Sequence, residues 1–121
     1  MGQLAGKVAV ITGASRGLGL AIAQTYAREG AAIVIAARSS AQIEKVVGQL
    51  RASGARASGL PCDVGDLAQV RALAHHAIAT FGQIDIWVNN AGIASVFGPT
   101  SSIPVDRFEM VVRTNILGTY Y

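Results

Sequence analysis

The stretch Val8-Ala9-Val10-Ile11-Thr12-Gly13-Ala14-Ser15-Arg16-Gly17-Leu18-Gly19 decides how the chain is read. An apolar β-branched run predicts a strand, the glycines a sharp turn, and the apolar-rich residues that follow, up to Gly30, a helix. Behind the turn, Leu18, Ile22 and Tyr26 recur at helical spacing with Ala21 and Ala23 between them. Glycine at 13, 17 and 19 removes Cβ atoms where the backbone bends. It also leaves room for an anion against the amides that open the helix.

The spacing is Gly-x-x-x-Gly-x-Gly rather than the usual Gly-x-Gly-x-x-Gly of dinucleotide sites, and glycine patterns of this kind recur by chance. Context therefore carries the reading. In a chain of 121 residues, 51% hydrophobic and 14% charged, one domain is expected, with strands buried on both faces by helices. That composition favours a parallel sheet. The net charge of +3 could suggest nucleic acid, but the arginines are scattered and the aromatics do not interleave with them, so no nucleic-acid partner is expected.

The longest apolar run, residues 31–37, is far below the ~18 residues that span a bilayer. The N-terminus lacks the basic-then-apolar layout of a signal peptide, and Gly6 stands where a myristoylation signal wants Ser or Thr. A cytoplasmic protein without a membrane partner is the expectation. The single cysteine, Cys62, rules out an internal disulfide and reads as a small buried hydrophobe.

Residues 31–37 predict a second strand, closed by Arg38-Ser39-Ser40, either serine being able to cap the next helix. Ile43, Val46, Val47 and Leu50 then follow helical spacing up to Gly54. A third strand is expected over 57–62, ending in Asp63-Val64. Asp66 opens another helix, with Leu67, Val70, Leu73, Ala74, Ala77, Ile78 and Phe81 on its buried side and Gly82 past its end. His75 and His76 have no Cys or acidic residue at ligand spacing, read as surface residues, and give no metal site. Residues 84–88 predict the fourth strand, leading into Asn89-Asn90-Ala91-Gly92. From Pro104, suited to a first helical turn, Phe108, Val111, Val112, Asn115, Ile116 and Thr119 follow helical spacing. Alternating strands and helices imply a doubly wound, Rossmann-like α/β sheet, here incomplete, with strand order 3-2-1-4.

Taken together, Thr12-Gly13-Ala14-Ser15-Arg16-Gly17-Leu18-Gly19, Cys62-Asp63-Val64, Asn89-Asn90-Ala91-Gly92 and Asn115 resemble the short-chain dehydrogenases/reductases in order and spacing. Members of that family move a hydride between a nicotinamide cofactor and a carbonyl or alcohol. The resemblance implies that Gly13, Ser15, Gly17, Leu18 and Gly19 line the diphosphate. It further implies that Asp63, with Val64 beside it, accepts from the adenine amino group, although Asp63 also suits an ordinary turn. Asn90 would tie strands together, while Ala91 and Gly92 would admit the adenosine ribose.

NAD enzymes of this fold place a carboxylate near the end of strand 2, and here that position is Ala37. Arg38 follows directly, before Ser39, and Arg16 lies in the glycine turn. Two guanidiniums could bracket a 2′-phosphate, so NADP(H) is expected over NAD(H), unless Arg38 is a solvated loop charge.

Asn115 falls on the apolar face of the last predicted helix and needs a hydrogen-bond partner. The family uses this asparagine to hold a water that links the catalytic lysine to solvent, so Asn115 is the candidate catalytic residue; the alternative is an amide that braces the helix. The family's catalytic tyrosine is followed four residues later by a lysine, and neither Lys7 nor Lys45 stands so to Tyr26, Tyr120 or Tyr121. Residues 1–121 are thus expected to be the cofactor-binding portion of a short-chain dehydrogenase/reductase domain whose catalytic portion lies elsewhere. A small carbonyl or alcohol substrate and a homo-oligomer are the partners implied for the completed enzyme. The alternatives are an NADP(H)-binding module or a fragment, neither turning substrate over.

Overall fold

The β-branched runs form the strands, and each apolar stripe at helical spacing forms a helix that covers them. The computed structural model describes residues 2–92 together with Asp106, Glu109 and Thr114. Its elements alternate as β1 (Val8–Thr12), α1 (Gly17–Arg28), β2 (Ala32–Ala37), α2 (Ser40–Ala52), β3 (Ala57–Pro61), α3 (Leu67–Phe81) and β4 (Ile86–Val88). All strand pairs are parallel, in the order β3-β2-β1-β4, as the alternation predicts. Val10 in β1 stands opposite both Val34 in β2 and Trp87 in β4.

Because side chains alternate along a strand, β1 and β2 feed two cores. Ala9, Ile11, Ile33 and Ile35 pack on one face with Ala23 of α1 and Ile43, Val46, Val47 and Leu50 of α2. Val10, Val34 and Ala36 pack on the other with Cys62, Val64, and Val70, Leu73 and Ala77 of α3. Every residue of β1 is buried, so the central strand is covered on both faces. Each large apolar side chain so enclosed contributes about 1.5–3 kcal/mol relative to exposure.

Two helix starts carry side-chain caps. The Ser39 hydroxyl accepts from the Gln42 amide at 3.3 Å, and an Asp66 carboxylate oxygen accepts from the Ala68 amide at 3.0 Å. Gly82 ends α3 with φ of +84°, the left-handed conformation that favours glycine.

Several expectations are corrected. α1 ends at Arg28, close to Gly30 as expected, and Gly30, with φ of +94°, turns the chain toward β2, which begins at Ala32 rather than at residue 31. β3 stops at Pro61, which has no amide to donate; Cys62 makes one more bond, to the Ala37 carbonyl at 2.8 Å, and leaves the sheet. β4 begins at Ile86, since side chains hold its approach: Asp85 accepts from the Val8 amide at 2.8 Å and Gln83 donates to the Gly6 carbonyl at 3.1 Å. Leu67 and Ile78 are exposed rather than buried, lying at the flank of the stripe formed by Val70, Leu73 and Ala77. Leu18 is exposed as well, in the first turn of α1. His76 is not a free surface residue: its Nε2 lies 2.8 Å from the Ser58 hydroxyl on β3, while His75 is exposed. Of the helix predicted from Pro104, only Asp106 and Glu109, both helical and exposed, and buried Thr114 are described.

Candidate functional site

The site begins at the carboxyl end of β1. Thr12 is 2% exposed, and its hydroxyl donates to the Val88 carbonyl at 3.3 Å while accepting from the Asn90 and Ala91 amides, each at 3.0 Å. A hydroxyl offers one donor and two acceptor sites, so Thr12 is fully used. The Asn90 side-chain amide adds a bond to the Gly13 carbonyl at 3.1 Å. These bonds fasten the ends of β1 and β4 where the winding of the sheet reverses, the place at which such folds hold ligands.

The glycines at the β1–α1 junction serve separate purposes. Gly13 has φ of +63°, and a Cβ there would come 2.9 Å from the Ala91 Cα. A Cβ on Gly19 would meet the Gly13 carbonyl oxygen and the Asn90 amide, so this glycine lets α1 seat against the turn. Gly17, with φ of +60°, has open space on its Cβ side and faces a cleft. Unlike α2 and α3, α1 begins without a side-chain cap: Arg16 at its N-cap makes no such bond. The amides of its first turn lack a side-chain cap, an arrangement suited to an anion.

The cleft has a volume of about 430 Å³. Gly13, Ser15, Arg16 and Gly17 form one wall; Ala36, Ala37, Arg38, Ser39 and Gln42 form a second. Cys62, Val64, Asn90, Ala91, Gly92 and Thr114 complete it. Of the residues singled out from sequence, Gly13, Ser15, Arg16, Gly17, Arg38, Ser39, Val64, Asn90, Ala91 and Gly92 come together here. Leu18, Gly19 and Asp63 stand off the wall: Leu18 faces solvent, Gly19 packs beneath the turn, and Asp63 adjoins Arg38. Ser39 also spends its hydroxyl on the cap of α2. Asn115 lies outside the described residues.

Asp63 takes the turn role offered for it and also faces Arg38. Its carboxylate accepts from the Gly65 amide at 2.9 Å, as a turn aspartate does, and lies 3.7 Å from Arg38 Nη2. Arg38 Nη2 also donates to the Thr114 hydroxyl at 3.0 Å. Burial pushes the Cys62 thiol up to about 11, with the negative charges of Asp63 and Asp66 adding to the shift. The thiol stays protonated at neutral pH and behaves as the small hydrophobe expected from the sequence.

Sequence reasoning quoted Thr12 within the glycine motif without giving it a role, and missed Gln42 and Thr114. Thr12 carried a signal, a polar residue closing an otherwise apolar strand; Thr114 stood beside Asn115, which drew the attention. Among the described residues no group of three or more His, Cys, Asp and Glu could hold a metal ion, and no helix is long and apolar enough to cross a membrane.

A family model described as short chain dehydrogenase matches residues 7–121, and the chain belongs to that family. Versicolorin reductase stcU of Emericella nidulans is 41% identical over 120 residues, covering 98% of this chain and 45% of the relative. A solved short chain dehydrogenase/reductase from Burkholderia phymatum, in complex with NAD, is 37% identical with a TM-score of 0.94, covering 99% of this chain and 42% of the other. A metagenomic short-chain oxidoreductase in complex with NADP is 34% identical with a TM-score of 0.90, covering 97% and 53% respectively. The chain spans less than half the length of the curated relatives it matches, 44%, 48% and 45% of three of them.

Proposed function

We propose that residues 1–121 are the cofactor-binding portion of an NADP(H)-dependent oxidoreductase that moves a hydride to or from a small carbonyl or alcohol compound. The observation that carries the cofactor choice is the second wall of the cleft, where Ala37 stands at the end of β2 and Arg38 follows it, with Arg16 across the glycine turn. No carboxylate occupies the end of β2 to accept from a ribose hydroxyl, and two guanidiniums offer charge to a 2′-phosphate. The nearby Asp63 does not cancel this. Its pairing with Arg38 joins side chains that are 51% and 42% exposed, and such pairs contribute only about 0.2–1 kcal/mol. A phosphate can take the guanidinium over at small cost.

The fit of the remaining cofactor to the chain rests on the open side of Gly17 and the uncapped start of α1, which together suit a diphosphate. Ala36, Val64 and Ala91 offer apolar contact, and Asp63 is the acceptor for an adenine amino group. The bound nicotinamide supplies or receives the hydride. Residues 1–121 bind and orient; the tyrosine and lysine that exchange the substrate proton belong to the portion of the polypeptide outside them, and Asn115 is the chain's own candidate contributor to that proton path.

The test is nucleotide affinity of the full-length polypeptide carrying this chain. Arg38→Asp should lower the preference for NADPH over NADH by roughly 10- to 100-fold, as hydrogen bonds to charged groups contribute about 1.5–3 kcal/mol. An unchanged preference would overturn the NADP(H) assignment. Nucleotide binding without turnover of any carbonyl compound would instead leave a binding module.

A further inference from the structure

Only two polar side chains are buried among the described residues, Thr12 and Thr114. The first is accounted for by the β1–β4 fastening. Thr114 is 4% exposed, lines the cleft, and meets Arg38, a residue 76 positions away in the chain. A buried hydroxyl without a partner is costly, so the contact fixes both groups.

Arg38 gains more from this than Thr114 does. Its side chain is half exposed and leaves the end of β2 with many rotamers open to it, and ordering it only when a ligand arrives would subtract from affinity. The Thr114 hydroxyl accepts from Nη2 at 3.0 Å, a directional bond, whereas Asp63 Oδ1 lies 3.7 Å from the same nitrogen, beyond hydrogen-bond reach. Both contacts use Nη2. Among the described residues Nη1 and Nε have no hydrogen-bond partner, which leaves guanidinium donors available to a planar fork-type contact with phosphate.

We propose that Thr114 is a positioning residue for 2′-phosphate recognition: its buried hydroxyl holds the Arg38 guanidinium in place at the cleft wall before the cofactor binds. This rests on the NADP(H) reading and deepens it, making the preference depend on a residue that reaches the cleft from the far end of the sequence.

The full-length polypeptide is titrated with adenosine 2′,5′-bisphosphate and with adenosine 5′-monophosphate, which differ only in the group Arg38 would hold. Thr114→Val keeps the shape and removes the hydroxyl; it should weaken the bisphosphate about tenfold and leave the monophosphate unchanged. Thr114→Ser should restore the bisphosphate affinity. In an Arg38→Ala background, Thr114→Val should have no further effect. Equal weakening of both nucleotides, or no weakening where Arg38→Ala does weaken the bisphosphate, would overturn the positioning role alone. If Arg38→Ala leaves the ratio of the two affinities untouched, the NADP(H) reading fails and the positioning role fails with it.

Discussion

Thr12 shows how much a single hydroxyl does in this chain. It ends the central strand, and the two backbone amides it satisfies belong to the segment that forms the opposite lip of the cleft. Replacement by valine keeps the volume but strands both amides, which are part-buried, so the cost of about 1–3 kcal/mol for a buried unsatisfied donor is an upper bound for each. Thr12→Val should therefore lower unfolding free energy by about 2–4 kcal/mol, read from urea denaturation, while Thr12→Ser retains most of it. A valine variant of unchanged stability would show that the amides find other partners. The residue was visible in the sequence as the polar end of an apolar run, but its role was not. Its acceptors and donors lie 76 to 79 positions away, and no local pattern reports a bond of that span.

At the scale of elements, glycine has opposite meanings in neighbouring helices. Gly19 in α1 faces the backbone of the glycine turn, so a methyl there has to displace main-chain atoms. Gly48 in α2 has nothing within 4 Å of its Cβ position and an ordinary helical φ. Gly19→Ala should destabilise by about 1–3 kcal/mol and weaken nucleotide binding. Gly48→Ala should stabilise by roughly 0.5–1 kcal/mol, as a helix interior gains when glycine is replaced. Thermal midpoints of the two variants, moving in opposite directions, check both. The ends of the elements were legible where capping chemistry marks them, at Ser39, Asp66 and Gly82. They were less so where a tertiary bond decides, as with Asp85 before β4, or where solvent reaches the flank of an apolar stripe, as at Leu67 and Ile78.

For the molecule as a whole, the sheet order followed from alternation and handedness, and most of the cleft wall followed with it, because motifs at the strand ends meet once the order is known. The partners of those motifs did not follow. Arg38 was expected to face a phosphate, yet its ion pair with Asp63 and its hydrogen bond to Thr114 depend on where distant segments come together. A similar long-range tie gives the fold a pH dependence. The Val8 amide, by donating to Asp85, holds that carboxyl below its ordinary value of 3.8, with Gln83 and the charge of Lys7 assisting. A carboxyl lowered in the folded state stabilises above its unfolded pKa, and that contribution is lost as pH falls through the folded one. The stability difference between the natural chain and Asp85→Asn should thus be constant above about pH 5 and shrink below it, as measured by denaturation across acid buffers. A difference independent of pH would sink this account.

The bonds that fasten the cleft also set a timetable. Thr12 to Asn90, Asn90 to Gly13 and Arg38 to Thr114 join positions 78, 77 and 76 apart. A ribosome adds about 5–20 residues per second, so the first strand and its glycine turn wait about 4–15 s for the segments that complete the lip. During that interval one edge of β1 lacks its neighbour, and the newborn chain must be kept from pairing with another like it before any nucleotide can steady it.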